Sequence, residues 1–247
     1  MLKVKNISKS FGEHKVLKNV SFKLDQGKVY VLMGTNGSGK TTLFNIATGF
    51  LKTDTGSILL NGKNILNSEP HLLNKKGICR TFQDLRLIEE LTVKENVMLS
   101  FQNQNGEKWW KALLPKNFYK REQKENDKKA NEILQETFIG DIAEQKAGEI
   151  SYGQQKLLTL ACCIAINTDF FLLDEPVSGV QPIYRDKLAT IINKLKKQDK
   201  TFLIIEHNAD FIEEIADKIL FLKEGIISEY KSYELMRNDE QIKEAFV

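Results

Sequence analysis

Nine residues, GTNGSGKTT at 34–42, have the types and spacing to grip a phosphate. They fill the pattern Gly-x-x-x-x-Gly-Lys-[Ser/Thr] completely and directly follow the apolar run VYVLM. Gly34, Gly37 and Gly39 let backbone N–H groups approach phosphate oxygens closely. The helix pattern behind them (Leu43, Ile46, Ala47, Phe50) adds the positive end of a helix at the same place. Asn36, Ser38 and Thr42 belong to the same lining. Lys40 is expected to reach the β- and γ-phosphates, and the Thr41 hydroxyl to bind Mg²⁺. A Gly-rich turn without a ligand is the bland alternative, and the full motif between strand and helix disfavours it.

A second stretch, FFLLDEP at 170–176, is an apolar run ending in two carboxylates. Asp174 suits Mg²⁺, directly or through water, and Glu175 is placed to orient or deprotonate an attacking water. Alone, two acids after a strand more often make a capped loop. Beside the Lys40 loop they read as nucleotide chemistry. His207 follows TFLIIE, again at the end of an apolar run. An isolated histidine is more often structural. Here three strand ends would bring phosphate-handling groups to one sheet edge, and His207 is expected to donate toward the γ-phosphate. Gln83, in RTFQD, could ligate Mg²⁺ or hold the water, and an ordinary loop glutamine is nearly as good a reading.

These residues need elements to hold them. Residues 2–26 read as two short strands, with Val20, Phe22 and Leu24 alternating. KVYVLMG (28–34), FFLL (170–173), TFLII (201–205) and KILFL (218–222) read as buried strands. Helical patterns separate the last three: Leu188, Ile191, Ile192 and Leu195 share one face, as do Ile212, Ile215 and Ala216. That alternation predicts a largely parallel sheet covered on both faces. Residues 92–165 carry helix patterns and no convincing strand. Within them, YKREQKENDKKANEIL reads as a solvated helix face.

Bulk properties exclude other classes. The chain has 247 residues, a net charge of +3 and three cysteines. The charge is too small to argue for nucleic acid. Cys79, Cys162 and Cys163 have neither metal-ligand nor disulfide-framework spacing, which fits a reducing cytoplasm. No segment approaches the roughly 18 apolar residues that span a bilayer. The N-terminus MLKVKNISKSF is unlike a signal peptide. The tail after Gly225 is too short for a separate regulatory domain, and none is expected.

A third stretch, ISYGQQKLL at 150–158, holds a hydroxyl and a glycine at the start of an apolar helix, with no carboxylate, histidine or cysteine inside it. With the Lys40 loop, DEP and His207, it resembles the ATP-binding-cassette ATPases over nearly the whole chain. That resemblance implies an α/β P-loop NTPase core with a mostly parallel sheet, an antiparallel β subdomain and an inserted helical subdomain. It further implies a single domain, 1–247, with a nucleotide-binding lobe at 1–91 and 166–247 and a helical lobe at 92–165. The family's usual Leu-Ser-Gly-Gly-Gln stands here as Ile150-Ser151-Tyr152-Gly153-Gln154. By resemblance this motif closes over ATP held by a second, facing subunit. Ser151 and the helix amides give neutral donors to the γ-phosphate, Gly153 allows close approach, and Gln154 lies in the same motif. Phe11 would stack on adenine, and SGVQP (178–182) would cross the dimer interface. Tyr152 replaces the first glycine of the usual pair, and Gln181 stands where the family commonly has Asp.

Within the family, TGFLKTDTGSILLNGKNI, RTFQDLRLIEELTVKENV and ISYGQQ resemble the ATPases of branched-chain amino acid importers. The partners implied are a second cassette subunit, identical or different, integral membrane permease subunits and, indirectly, a substrate-binding protein. The implied location is the inner face of the cell membrane. The reading from another class is a soluble cassette ATPase that remodels a cytoplasmic assembly such as an iron–sulfur scaffold. A phosphate-loop kinase or GTPase explains neither ISYGQQ nor His207, and no Asn-Lys-x-Asp motif is present, so ATP is preferred over GTP. In KWWKALLPKNF (108–118), Trp109, Trp110, Leu113 and Leu114 form either local core or a seat for a membrane partner.

Overall fold

The computed structural model describes residues 1–66, 68–81, 85–102 and 120–243. Gln83 and the Trp109–Leu114 patch lie outside the described residues. In chain order the elements begin β1 (Leu2–Phe11), β2 (His14–Leu24), β3 (Val29–Gly34), α1 (Lys40–Ala47), β4 (Thr55–Leu60), β5 (Lys63–Asn64), α2 (Pro70–Lys75) and β6 (Ile78–Arg80). Then come α3 (Val93–Leu99), α4 (Lys120–Glu136) and α5 (Tyr152–Ala165). The chain continues through β7 (Phe170–Asp174), α6 (Pro182–Lys196), β8 (Thr201–Ile205), α7 (Ala209–Ile215), β9 (Lys218–Lys223) and β10 (Ile226–Tyr230). It closes with α8 (Tyr233–Asn238) and α9 (Glu240–Lys243).

Two compact units result. One comprises residues 1–80, 169–176 and 192–247; the other comprises 81–168 and 177–191. The first holds a four-stranded antiparallel sheet, order β2-β1-β4-β5, and a six-stranded sheet, order β10-β9-β3-β8-β7-β6. In the six-stranded sheet β10 runs antiparallel to β9 and every other pair is parallel. The expected mostly parallel α/β core with an antiparallel β portion is the observed one.

The middle strands of the six-stranded sheet are apolar along their length because both faces are covered. Val29 to Leu32 of β3 are fully buried, and Phe171 of β7 stacks on Phe202 of β8 at 4.9 Å. Each such side chain removed from water contributes about 1.5–3 kcal/mol. Register then fixes the site: Leu32 of β3 and Asp174 of β7 both pair with Ile205 of β8. The three adjacent parallel strands therefore end at the same edge of the sheet, β3 running two residues past the other two, and the residues that follow them emerge together.

The two N-terminal strands are long, not short. Asn6 and Asn19 take positive φ, and the β1–β2 register shifts three times, so bulges interrupt the period-2 pattern that marks a strand in sequence.

In the second unit, α3 starts at a capping box, Thr92 with Glu95. The buried Asn96 side chain bonds the backbone of Ile88 and Thr92, tying the preceding loop to the helix. Lys94 bridges to Asp127 of α4 and to Glu144. Leu157, Leu158, Leu160 and Ala161 give α5 its buried face.

Candidate functional site

In the first unit the chain leaves β3 at Gly34 and enters α1 at Lys40. Gly39, the N-cap, has φ 103°, and no side chain caps the helix start. A Cβ at Gly39 would lie 2.8 Å from Val16 Cγ1 on β2, so both conformation and space call for glycine. Lys40 Nζ donates to the carbonyls of Gly34 (2.8 Å) and Thr35 (2.9 Å). The third hydrogen of that ammonium has no partner among the described residues. Burial lowers the Lys40 pKa, and attraction to Glu175 and then Asp174 opposes the shift. Ser38 Oγ is buried with no hydrogen-bond partner among the described residues. A half-buried cation, an orphaned hydroxyl and uncapped helix amides are the features an anionic oxygen ligand satisfies. Asn36, Gly37 and Thr41 are exposed, and Thr42 is half-buried.

Asp174 ends β7, with its side chain only 12% exposed. Glu175 follows with φ 47°, a left-handed conformation that costs a non-glycine residue about 1–3 kcal/mol. Its N–H donates to Ile205 O at 3.0 Å, so the β7–β8 pairing continues through the strained residue and fixes its direction. After β8, the carboxylate of the buried Glu206 accepts from the amides of His207 (2.7 Å) and Asn208 (3.0 Å). That turn leaves the His207 ring 70% exposed beyond the strand end. Phe11, at the end of β1, is about half exposed, with Lys9 Nζ 5.5 Å from its ring centre.

The start of α5 belongs to the second unit. Ser151 is its N-cap, and Ser151 and Gln154 form a reciprocal capping box. Ser151 N–H donates to Gln154 Oε1 at 2.8 Å, so the Gln154 side chain is engaged within its own helix. Gly153 is covered by the Tyr184 ring; a Cβ there would lie 2.2 Å from it. The Tyr184 hydroxyl is 3.1 Å from Ser151 Oγ. The exposed Tyr152 ring has Lys156 Nζ 5.3 Å from its centre and Gly179 of the 178–182 loop beside it. Gln181 accepts through its backbone carbonyl from the amides of Tyr184 and Arg185 at the start of α6.

Comparison with known proteins supplies the frame. A model of the ABC transporter family matches residues 17–178. The chain belongs to the ABC transporter family. It is a nucleotide-binding cassette that hydrolyses ATP. It is 38% identical over 239 residues to a probable branched-chain amino acid transport ATP-binding protein LivG of Methanocaldococcus jannaschii, covering 96% of this chain and 92% of that one. Its fold is similar to a nucleotide-free ATP-binding cassette from an ABC transporter, with 35% identity, a TM-score of 0.85 and coverage of 100% and 98% of the two chains. It is also similar to the dimeric structure of a bacterial ABC transporter cassette, MJ0796, with 26% identity, a TM-score of 0.75 and coverage of 94% and 98%. These relatives do not favour the soluble remodelling reading. No helix among the described residues is long and apolar enough to cross a membrane.

Three residues of the cassette escaped the sequence reading. Glu206 holds the His207 turn; its signal was a carboxylate directly after a buried strand. Arg80, at the end of β6, bonds Asn45 Oδ1 (2.7 Å) and Thr48 Oγ1 (2.8 Å) at the far end of α1, and approaches Asp174 Oδ2 at 3.4 Å. The rings of Phe44 and Phe50 lie 5.7 Å from its guanidinium. Tyr184 is the third, and no local pattern marks it.

Proposed function

We propose that this cassette powers a membrane importer for branched-chain or related amino acids, working at the inner face of the membrane. Its partners would be permease subunits, a second cassette and, through the permease, a substrate-binding protein. The relative's transport name supports the substrate class. ATP lies on the 34–42 loop, with the Lys40 ammonium on the β- and γ-phosphates and Phe11 against the adenine. Gly34, Asn36, Gly37, Ser38, Gly39 and Thr42 line the phosphates. Mg²⁺ suits the hydroxyl of Thr41 and the carboxylate of Asp174, which are hard oxygen donors, with Gln83 the further candidate. When bound it neutralises charge on the β- and γ-oxygens. Glu175 takes the proton of the attacking water, and His207 donates to a γ-phosphate oxygen. Ser151, Gly153 and Gln154 form a lid on ATP held by the second cassette.

One observation carries this reading: a cation, two carboxylates and an open helix start follow adjacent parallel strands at one edge of the sheet. The catalytic base is tested by Glu175→Gln, which keeps shape and removes basicity. Turnover should fall at least about a hundredfold while ATP stays bound. Hydrolysis at the parent rate would remove Glu175 from the role. The same variant, held with ATP and Mg²⁺, serves as bait in membrane and cytosol extracts. Recovery of polytopic membrane proteins and a second cassette would support the importer. Recovery of soluble scaffold proteins alone would overturn it.

A further inference from the structure

The hydroxyl of Ser151 has two neighbours within its own unit. The Gln154 N–H donates to it at 3.4 Å, and the Tyr184 hydroxyl stands 3.1 Å away, where either oxygen can be the donor. A serine hydroxyl has one hydrogen and two lone pairs. If Ser151 donates to Tyr184, its only hydrogen is used inside the chain. If Tyr184 donates, both lone pairs of Ser151 are filled and its hydrogen is free to point outward. A phosphate oxygen only accepts, so it selects the second arrangement.

The phenol is held for this purpose. Its ring lies so close to Gly153 that no side chain fits between them. Lys187 Nζ sits 5.6 Å from the ring centre. Pro182, at the first position of α6, fixes the backbone two residues earlier. The missing side chain at 153 thus serves the approach of Tyr184 from within the chain.

We propose that Tyr184 is a positioning residue: its O–H donates to Ser151 Oγ and turns the Ser151 hydrogen toward the γ-phosphate of ATP on the facing cassette. The assignment rests on the reading of Ser151 given above. Tyr184 acts through Ser151 alone and touches no nucleotide.

The test is Tyr184→Phe, which keeps the ring over Gly153 and deletes the hydroxyl. Steady-state ATPase is measured on the full chain assembled with its partner cassette, alongside thermal unfolding. The KM for ATP should rise about five- to tenfold with kcat nearly unchanged and an unshifted melting midpoint, the pattern of one lost binding hydrogen bond. In a Ser151→Ala background the same substitution should add nothing. An equal KM change in both backgrounds would make Tyr184 merely structural and overturn the proposal. So would an unchanged KM in Tyr184→Phe where Ser151→Ala alone raises it. An unchanged KM in Ser151→Ala would instead sink the reading of Ser151 itself.

Discussion

Two helices of this cassette begin in opposite ways. α1 starts at Gly39 with no side-chain cap, and its first amides remain available. α5 starts at Ser151 with a complete capping box, so two of its orphan groups are satisfied by its own residues. The open start is held from behind: Arg80 grips Asn45 and Thr48 at the other end of α1, a favourable place for a cation. The closed start needs no such anchor. A helix end meant to take an anion through its backbone must stay uncapped and be braced elsewhere. One that offers a hydroxyl can cap itself.

The contrast breaks most severely at Lys40. Lys40→Ala should cut ATP turnover by at least about a hundredfold, since the charge proposed to meet the phosphates is lost; near-normal turnover would refute the open-start reading. Arg80→Met removes the brace and one partner of a nearly buried ion pair. It should destabilise the chain by about 3 kcal/mol in denaturant unfolding, and an unchanged midpoint would mean α1 is held by its apolar face alone.

Gly153→Ala probes the closed start. Its new methyl must displace the Tyr184 ring, which should cost about 1–3 kcal/mol in the same measurement. If stability is unchanged, the ring is not pinned. The smallest effect belongs to Cys162, late in α5. Burial pushes its thiol pKa up to about 12, against a weaker opposing hydrogen bond with Ser100. A raised thiol pKa favours the protonated form, so the reactive thiolate stays scarce from neutral pH to beyond 9. Native protein should label at Cys162 far more slowly than unfolded protein at pH 8, read by peptide mass spectrometry. Equal rates would show that the late turns of α5 open freely.

The open start was legible in the sequence because its residues are contiguous and its glycines follow a buried strand. The ends of β7 and β8 were legible for the same reason: apolar runs stop at charged residues. The brace was not. Arg80, Asn45, Thr48 and Asp174 come together only through strand order, and a lone arginine before a loop carries no period. Tyr184 was hidden likewise, 33 residues from the serine it meets. The strands β5 and β6 lacked length enough for a pattern, β4 opens on the turn-like Thr-Gly-Ser, and bulges obscured the length of β1 and β2. Ser151 was visible as a hydroxyl at a helix start, but neither its capping bond nor its Tyr184 partner was.

The parallel pairing of β6 with β7 places Arg80 beside Asp174 across 94 residues of chain. Everything between those strands is one closed loop, and its ends are fixed side by side. Loop entropy grows only with the logarithm of length, so ten more residues there would cost about 0.1 kcal/mol. The helical segment can therefore lengthen, shorten or be exchanged while the strand pairing that seals it is kept. An insertion in that segment should leave the β6–β7 pairing, and the cassette's nucleotide end with it, in place.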